Sequence, residues 1–420
     1  MISKPSASEC FVYITLPGAT SAITAGRFVL ERNQNGDPLG RFVFGRSYLK
    51  NPDAVPIDPV ELLLSEKTYE TVQLNSIFGA LRDAGPDYWG RRVIEKHAGK
   101  AQLGELDYLL GSPDDRAGAL GFGLNRVPPA PRRKFNKTLD LEKLQNLSEA
   151  LVKDEIPKDP DAAQVQDLIL LGTSMGEARP KAVVQDDDGL WIAKFNRPDD
   201  RWNNTRVEHA MLRLARECGV NTAESRIEAV AGKDVLLIKR FDREKTPKGY
   251  TRARMVSGLT LLRADESLER RTRWSYVILV EELRRVVAAP KKDARELFRR
   301  MCFNALITNI DDHPRNHAVI AKDKNWKLSP AYDLTPAPVI AEKRRDLAME
   351  CGDMGRYANA KNILSQHARF LLEETEAAKM VGNMKQQVAA TWYNTVRACG
   401  VSENDAEIIR RAFVYDGFSL

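Results

Sequence analysis

Between Asn304 and Ile320 the chain reads NALITNIDDHPRNHAVI, which gathers Asp311, Asp312, His313, Arg315, Asn316 and His317 between apolar flanks. Residues of these types can do several kinds of chemistry. An aspartate can take a proton from a hydroxyl, and an asparagine on the same loop can offer an amide oxygen to a hard cation. His313 and His317 have the i, i+4 spacing of a helical zinc pair, but HExxH is absent and Pro314 argues against a helix interior. A Ser-His-Asp hydrolase would want a G-x-S-x-G elbow, and the sequence has none. The plain alternative is a polar loop whose aspartates and asparagines close Asx-turns.

Asp311 and Asn316 are five positions apart. Protein kinases use this D-x-x-x-x-N spacing, the Asp acting on the acceptor hydroxyl and the Asn holding magnesium. Asp312 is also acidic, but only Asp311 has the spacing to Asn316, so Asp312 and His317 are read as support. The following HAVIAKDKNWKLSPAYDL reads as strand, turn and strand leading to Asp333. A second carboxylate arriving there suits a magnesium ion, which keeps several waters and takes few protein oxygens. The other reading of Asp333 is a turn or N-cap residue before Thr335 and Pro336.

Lys194 lies among apolar strand residues in LWIAKF, a costly place for a charge without a partner. Nucleotide phosphates are one such partner; an edge-strand lysine that snorkels to water is the other reading. Glu208 is a candidate anchor for Lys194, although a solvated helix face is the reading preferred from the sequence. Gly172 and Gly176 in LGTSMGEARPK could let backbone N–H groups approach phosphate, but no Walker A pattern is present.

These residues need elements to position them. CFVYITL, ITAGRFVLE and GRFVFGRSYL read as strands, followed by helical signals in SIFGALRDAGPDYWGRRVIEKH. VPPAPRRK reads as a linker. KAVVQDDDGLWIAKF and SRIEAVAGKDVLLIKRFDRE both read as antiparallel hairpins. Between them TRVEHAMLRLARECG is an amphipathic helix ending at Gly219. From about Leu259 the pattern is mostly helical.

A chain of 420 residues exceeds one compact core, and its formal charge of +6 is mildly basic. Five scattered cysteines with no CxxC pair argue for a reducing compartment and against structural zinc or disulfides. The first residues do not read as a signal peptide, and no apolar run approaches the roughly 20 residues of a membrane span. A cytoplasmic protein is expected.

Taken together, GEARPKAVV, WIAKF, LLIKRFDRE, NIDDHPRNHAVI and LSPAYDLTP resemble the HipA-like serine/threonine kinases of bacterial toxin–antitoxin systems. The resemblance covers nearly the whole chain, reaching the β-rich N-terminal region and, more weakly, the C-terminal LAMECGDMGRY. It implies an α+β, divergent protein-kinase-like fold with a β-rich N-terminal accessory domain and a mostly helical C-terminal lobe. The implied division is an accessory domain over 1–125, a linker over 126–138, a kinase N-lobe over 139–245 and a helical C-lobe over 246–420.

Carried over by residue, the resemblance makes Asp311 the catalytic base, Asn316 and Asp333 magnesium ligands, and Lys194 a contact of the α/β-phosphates. Gly176, Glu177, Ala178, Arg179, Pro180 and Lys181 would cover the phosphates. Lys239, Arg240 and Phe241 would form the hinge beside adenine, with His313, Arg315 and Tyr332 on the nucleotide side. Ser174 stands where the family has an autophosphorylated serine, an ordinary turn serine being the other reading. Two features depart from common patterns. The catalytic loop has no H-R-D, and Glu177 puts a carboxylate where it would repel phosphates unless it points away.

The implied cofactors are ATP and Mg²⁺. The implied partners are a protein acceptor, such as an aminoacyl-tRNA synthetase, and a HipB-like helix-turn-helix antitoxin. DNA would be met only through that antitoxin, since no helix-turn-helix is found in this chain, and no membrane is involved. Two alternatives stay open. One is a weakly active or inactive binding module acting as corepressor, motivated by basic clusters such as LERRTR. The other is a small-molecule kinase on the same scaffold.

Overall fold

The β-branched and aromatic runs near the start of the chain become strands β1 (Glu9–Thr15), β2 (Ala22–Arg32) and β3 (Pro38–Phe44). Asn33 closes the turn between β2 and β3, its Oδ1 accepting from the N–H groups of Asn35 at 2.9 Å and Asp37 at 2.8 Å. With β4 (Tyr69–Thr71) and β5 (Leu120–Gly123) these strands form an antiparallel sheet of order β4-β3-β2-β1-β5. One face buries Phe28, Phe42, Phe44 and Tyr48. The Phe42 ring meets Phe44 edge-on at 4.9 Å. Gly40 allows a close approach, because a Cβ there would lie 1.9 Å from the Ser76 carbonyl oxygen. Helices α1 (Arg46–Leu49), α2 (Gly79–Asp83), α3 (Tyr88–Ala98) and α4 (Glu105–Gly111) complete this region.

The computed structural model describes residues 8–98, 103–112, 116–131, 135–152, 179–338 and 341–419. After β6 (Asn136–Lys137) and α5 (Leu141–Val152), strands β7 (Lys181–Asp186) and β8 (Gly189–Phe195) form the expected hairpin. Its turn is set by Asp186 Oδ1, which accepts from the N–H groups of Asp188 at 2.8 Å and Gly189 at 3.0 Å. Helix α6 (Asn204–Glu217) starts at Asn203, whose side chain accepts from Arg206 N–H at 3.1 Å. It stops before Gly219, which has a φ of 80°. Strands β9 (Ser225–Val230) and β10 (Lys233–Lys239) pair antiparallel across a two-residue turn with positive φ at both Ala231 and Gly232.

Next come the hairpin β11 (Arg243–Thr246) and β12 (Gly249–Arg252), strand β13 (Arg254–Ser257), and helices α7 (Gly258–Leu261), α8 (Tyr276–Val286) and α9 (Pro290–Leu306). Strands β14 (Ala318–Ala321) and β15 (Lys327–Leu328) follow. Helices α10 (Ala360–Ser365), α11 (Glu374–Ala398) and α12 (Glu403–Ile409) end the order. Proline at the first position of α9 removes an N–H that would lack a helical partner anyway. Helix α9 buries Leu297, Phe298, Met301, Phe303 and Leu306 and packs on α8 and α11. The fold is α+β, with a β-rich first part and a more helical remainder. Among the described residues no helix is long and apolar enough to cross a membrane.

The chain forms two compact units. The first comprises Met1–Ala193, Arg240–Val256 and Ile320–Trp326; the second comprises Lys194–Lys239, Ser257–Val319 and Lys327–Leu420. This differs from the four-segment division read from the sequence, and the first unit contains a physical reason. Asp242 is buried there and pairs with Arg240 at 2.8 Å and Arg243 at 2.7 Å. It also accepts from Gly118 N–H at 2.9 Å, while Arg240 donates to the Arg116 carbonyl at 2.8 Å. The KRFDRE segment is thereby held by residues of the N-terminal region.

Candidate active site

Helix α9 delivers the polar loop. Directly after it, Thr308 has a φ of 54°, an outlier for a β-branched residue. Buried bonds hold it there. Its hydroxyl donates to the Ala412 carbonyl at 2.6 Å and accepts from Arg345 Nη1 at 2.7 Å, and Arg345 also donates to the Arg411 carbonyl at 2.7 Å. Val414 N–H bonds the Leu306 carbonyl at 2.8 Å, so the C-terminal segment clasps the start of the loop. Backbone bonds from His313 N–H to Asp311 O at 2.8 Å and from Asn316 N–H to His313 O at 2.9 Å then wind the loop into a single turn.

The turn sorts its side chains. Asp311 is exposed, whereas Asn316 is buried. Asn316 Nδ2 donates to the Asp311 carbonyl at 3.3 Å. Its Oδ1 is buried and has no hydrogen-bond partner among the described residues. An orphaned amide oxygen is what a hard cation would satisfy. The Asp311 carboxyl is raised above the ordinary aspartate range. Desolvation is the largest cause; His313 opposes it, Asp333 and Asp312 add repulsion, and Arg271 opposes.

Asp333 arrives after β15 with a φ of 61°, left-handed for a non-glycine residue, and is buried. Lys194 Nζ lies 2.5 Å from Asp333 Oδ1 and 2.7 Å from Glu208 Oε1. Lys194 is 7 % exposed, so its ammonium does not snorkel to water. Glu208 lies on the buried face of α6, which corrects the solvated-face reading preferred from the sequence. The buried Asp333 carboxylate and the unpartnered Asn316 oxygen are donors of the type that a hard divalent cation takes. Among the described residues no group of three or more His, Cys, Asp and Glu could hold a metal ion. His317 Nε2 lies 2.8 Å from Asp312 Oδ2.

The other expected residues are distributed as follows. Arg315 pairs with Glu266 at 2.5 Å, and Tyr332 OH donates to the Arg315 carbonyl at 2.7 Å. The His313 ring lies 6.3 Å from that of Trp274, over which Arg271 stacks at 4.5 Å. Lys239 pairs with Glu224 at 3.2 Å, and Phe241 is half-buried. Arg240 is buried in the Asp242 cluster, and Lys181 is buried against Asp87. Both side chains therefore have structural partners in the first unit. Arg179 and Pro180 are described, while Ser174, Gly176, Glu177 and Ala178 lie outside the described residues. All five cysteines are free, and burial pushes the Cys10 thiol up to about 12.

Sequence reasoning missed Thr308, Tyr276, Asn304 and Asn309. No spacing rule marks them; their importance comes from tertiary bonds. Gly258 was missed as well. Its N–H donates to the His317 carbonyl at 2.7 Å, and a Cβ there would lie 2.7 Å from the Pro314 carbonyl oxygen.

The fold has counterparts among known proteins. The solved structure of HipA from Shewanella oneidensis MR-1, determined with HipB and operator DNA, matches with a TM-score of 0.69. That match covers 96% of this chain and 94% of the other at 16% identity, which speaks for the fold. In Sinorhizobium fredii, "Putative kinase Y4mE" is 26% identical over 151 residues and "Putative kinase Y4dM" 30% identical over 160. Each match takes in 35% of this chain, and the chain spans only 36% and 37% of the length of these relatives. The HipA-like C-terminal domain family matches residues 173–392, more than half of the sequence. The chain belongs to the HipA-like family.

Proposed function

We propose that the protein is a Mg·ATP-dependent serine/threonine protein kinase that serves as the toxin of a bacterial toxin–antitoxin pair. The observation that carries this reading is the Lys194–Glu208–Asp333 ion cluster in the same unit as the Asp311–Asn316 loop. Asp311 accepts the proton of the acceptor hydroxyl. The hydroxyl oxygen attacks the γ-phosphorus, the bond from that phosphorus to the β–γ bridging oxygen breaks, and ADP leaves. Asn316 Oδ1 and the Asp333 carboxylate would hold magnesium, which when bound neutralises developing phosphate charge. Lys194, oriented by Glu208, presents its ammonium to the α/β-phosphates. The raised carboxyl of Asp311 makes it a better base than an ordinary surface aspartate.

The biological setting rests on family membership. A HipA of this fold has been solved with HipB and operator DNA, and a HipB-like antitoxin is the partner proposed here. DNA is then met through that antitoxin. The acceptor is proposed to be a protein of the translation machinery, such as an aminoacyl-tRNA synthetase, with Ser174 as the autophosphorylation site that silences the kinase.

Phosphotransfer by the parent and by Asp311→Asn tests the reading. Loss of a general base should lower kcat by about 10²- to 10⁴-fold. Phosphotransfer by Asp311→Asn at the parental rate would refute it. Calorimetric titration with ATP, with and without Mg²⁺, separates it from a pure binding module, for which no nucleotide binding at millimolar concentration is expected.

A further inference from the structure

Two aspartates stand side by side in the loop, and the interior of the second unit treats them oppositely. Asp311 is exposed, whereas Asp312 is 1% exposed. Asp312 Oδ2 takes a hydrogen bond from the hydroxyl of Tyr276 and meets His317 Nε2 at 2.8 Å. The Tyr276 hydroxyl accepts from Asn304 Nδ2 at 3.1 Å, and Asn304 Oδ1 accepts from Asn309 Nδ2 at 3.1 Å. All five side chains are buried, and the rings of Tyr276 and His317 meet edge-on at 5.4 Å.

Donors and acceptors fix the protons in this chain. Asn309 donates to Asn304, Asn304 to Tyr276, and Tyr276 to Asp312. Tyr276 has spent its acceptor on Asn304, so its proton points at the carboxylate. His317 Nδ1 is buried and has no partner among the described residues. A lone pair there is less costly than an unpaired N–H, which leaves the Nε2–H to donate to Asp312. Asp312 Oδ2 is then held by two donors. Burial to 1% exposure keeps Asp312 away from an acceptor hydroxyl.

We propose that Tyr276, Asp312 and His317 are positioning residues that pin the loop from below, so that Asp311 alone meets the acceptor hydroxyl. The proposal rests on the kinase reading above. The anchors of the Asp312 carboxylate come from two places: Tyr276 from the first turn of α8, itself held by Asn304 from the last turn of α9, and His317 from just after the loop's turn. A carboxylate tied from these directions cannot rotate outward. Because Asp311 and Asp312 share one peptide, the direction of the first is set by the second.

Tyr276→Phe removes one hydroxyl and keeps the ring, so it is the variant of choice. Its kcat should fall about tenfold while Mg·ATP affinity by calorimetry stays within twofold, as expected when only the geometry of the base is disturbed. In an Asp311→Asn background the same change should alter the residual rate by less than twofold, since there is no base left to position. An equal loss in both backgrounds, or a parallel loss of ATP affinity, would show a merely structural role and overturn the proposal. Retained activity in Asp311→Asn together with its abolition in Asp312→Asn would make Asp312 the base and overturn it too. Failure of the kinase reading looks different: no variant, and not the parent, would transfer phosphate or bind Mg·ATP.

Discussion

At the scale of residues, the environment of Asp311 predicts a pH profile. A base works only when deprotonated, and this carboxyl is raised, first by desolvation and then by repulsion from Asp333 and Asp312. Activity should fall as pH drops through the Asp311 pKa, so the acid limb of kcat/KM should lie above the ordinary aspartate range. A profile flat down to that range would contradict the assignment. Asp311, Asn316 and Asp333 stand out in the sequence because their types and spacing are those that kinase chemistry would use. Glu208 was misread, although its own helix held the signal. It shares a stripe with Met211, Leu212 and Ala215, at i+3, i+4 and i+7, and all of these are buried. A glutamate on an apolar stripe implies a buried partner, and Lys194 is that partner. Tyr276 and Asn304 could not be found this way, since nothing in WSYVILVEEL or MCFNAL distinguishes them from ordinary core and helix residues.

At the scale of elements, the hairpins and α6 were legible because their turns and caps are local. The DDDG and AG turns and the Asn203 cap each use atoms a few residues apart. The packing of α7 on the catalytic loop is not local, and it turns on Gly258. A Cβ there would lie 2.7 Å from the Pro314 carbonyl oxygen and 3.4 Å from His317 Cβ. Gly258→Ala should therefore push the loop outward. A misplacement of about 1 Å can cost about 10²-fold in rate. The expected result is a large fall in kcat with near-parental Mg·ATP affinity. Unchanged kcat would mean that the loop tolerates the shift.

At the scale of the whole molecule, the charge cluster around Asp242 governs acid stability. Burial alone would raise this carboxyl, but Arg240 and Arg243 overcome burial and hold it well below the ordinary aspartate range. A depressed folded pKa means that the stabilisation is fully present above the unfolded-state pKa and is lost as pH falls through the folded one. Breaking a buried pair costs about 3–5 kcal/mol. Asp242→Asn should thus lower the melting temperature at neutral pH, and the gap to the parent should narrow only below the ordinary aspartate range. A gap that is constant down to strongly acid pH would assign the loss to packing. The sequence placed KRFDRE at the end of a hairpin; its partners at Arg116 and Gly118, more than a hundred residues away, were invisible to any local rule.

The clasp on Thr308 has a consequence in time. A chain is made from its N-terminus at roughly 5–20 residues per second. The catalytic loop therefore leaves the ribosome before residues 411–414, which hold Thr308 through the carbonyls of Arg411 and Ala412 and tie Val414 to Leu306. Until those residues arrive, the left-handed backbone at Thr308 lacks the bonds that offset its strain. The nascent protein carries its aspartates on a loop not yet set. On the kinase reading proposed above, phosphotransfer would begin only after residues 411–414 have joined the loop.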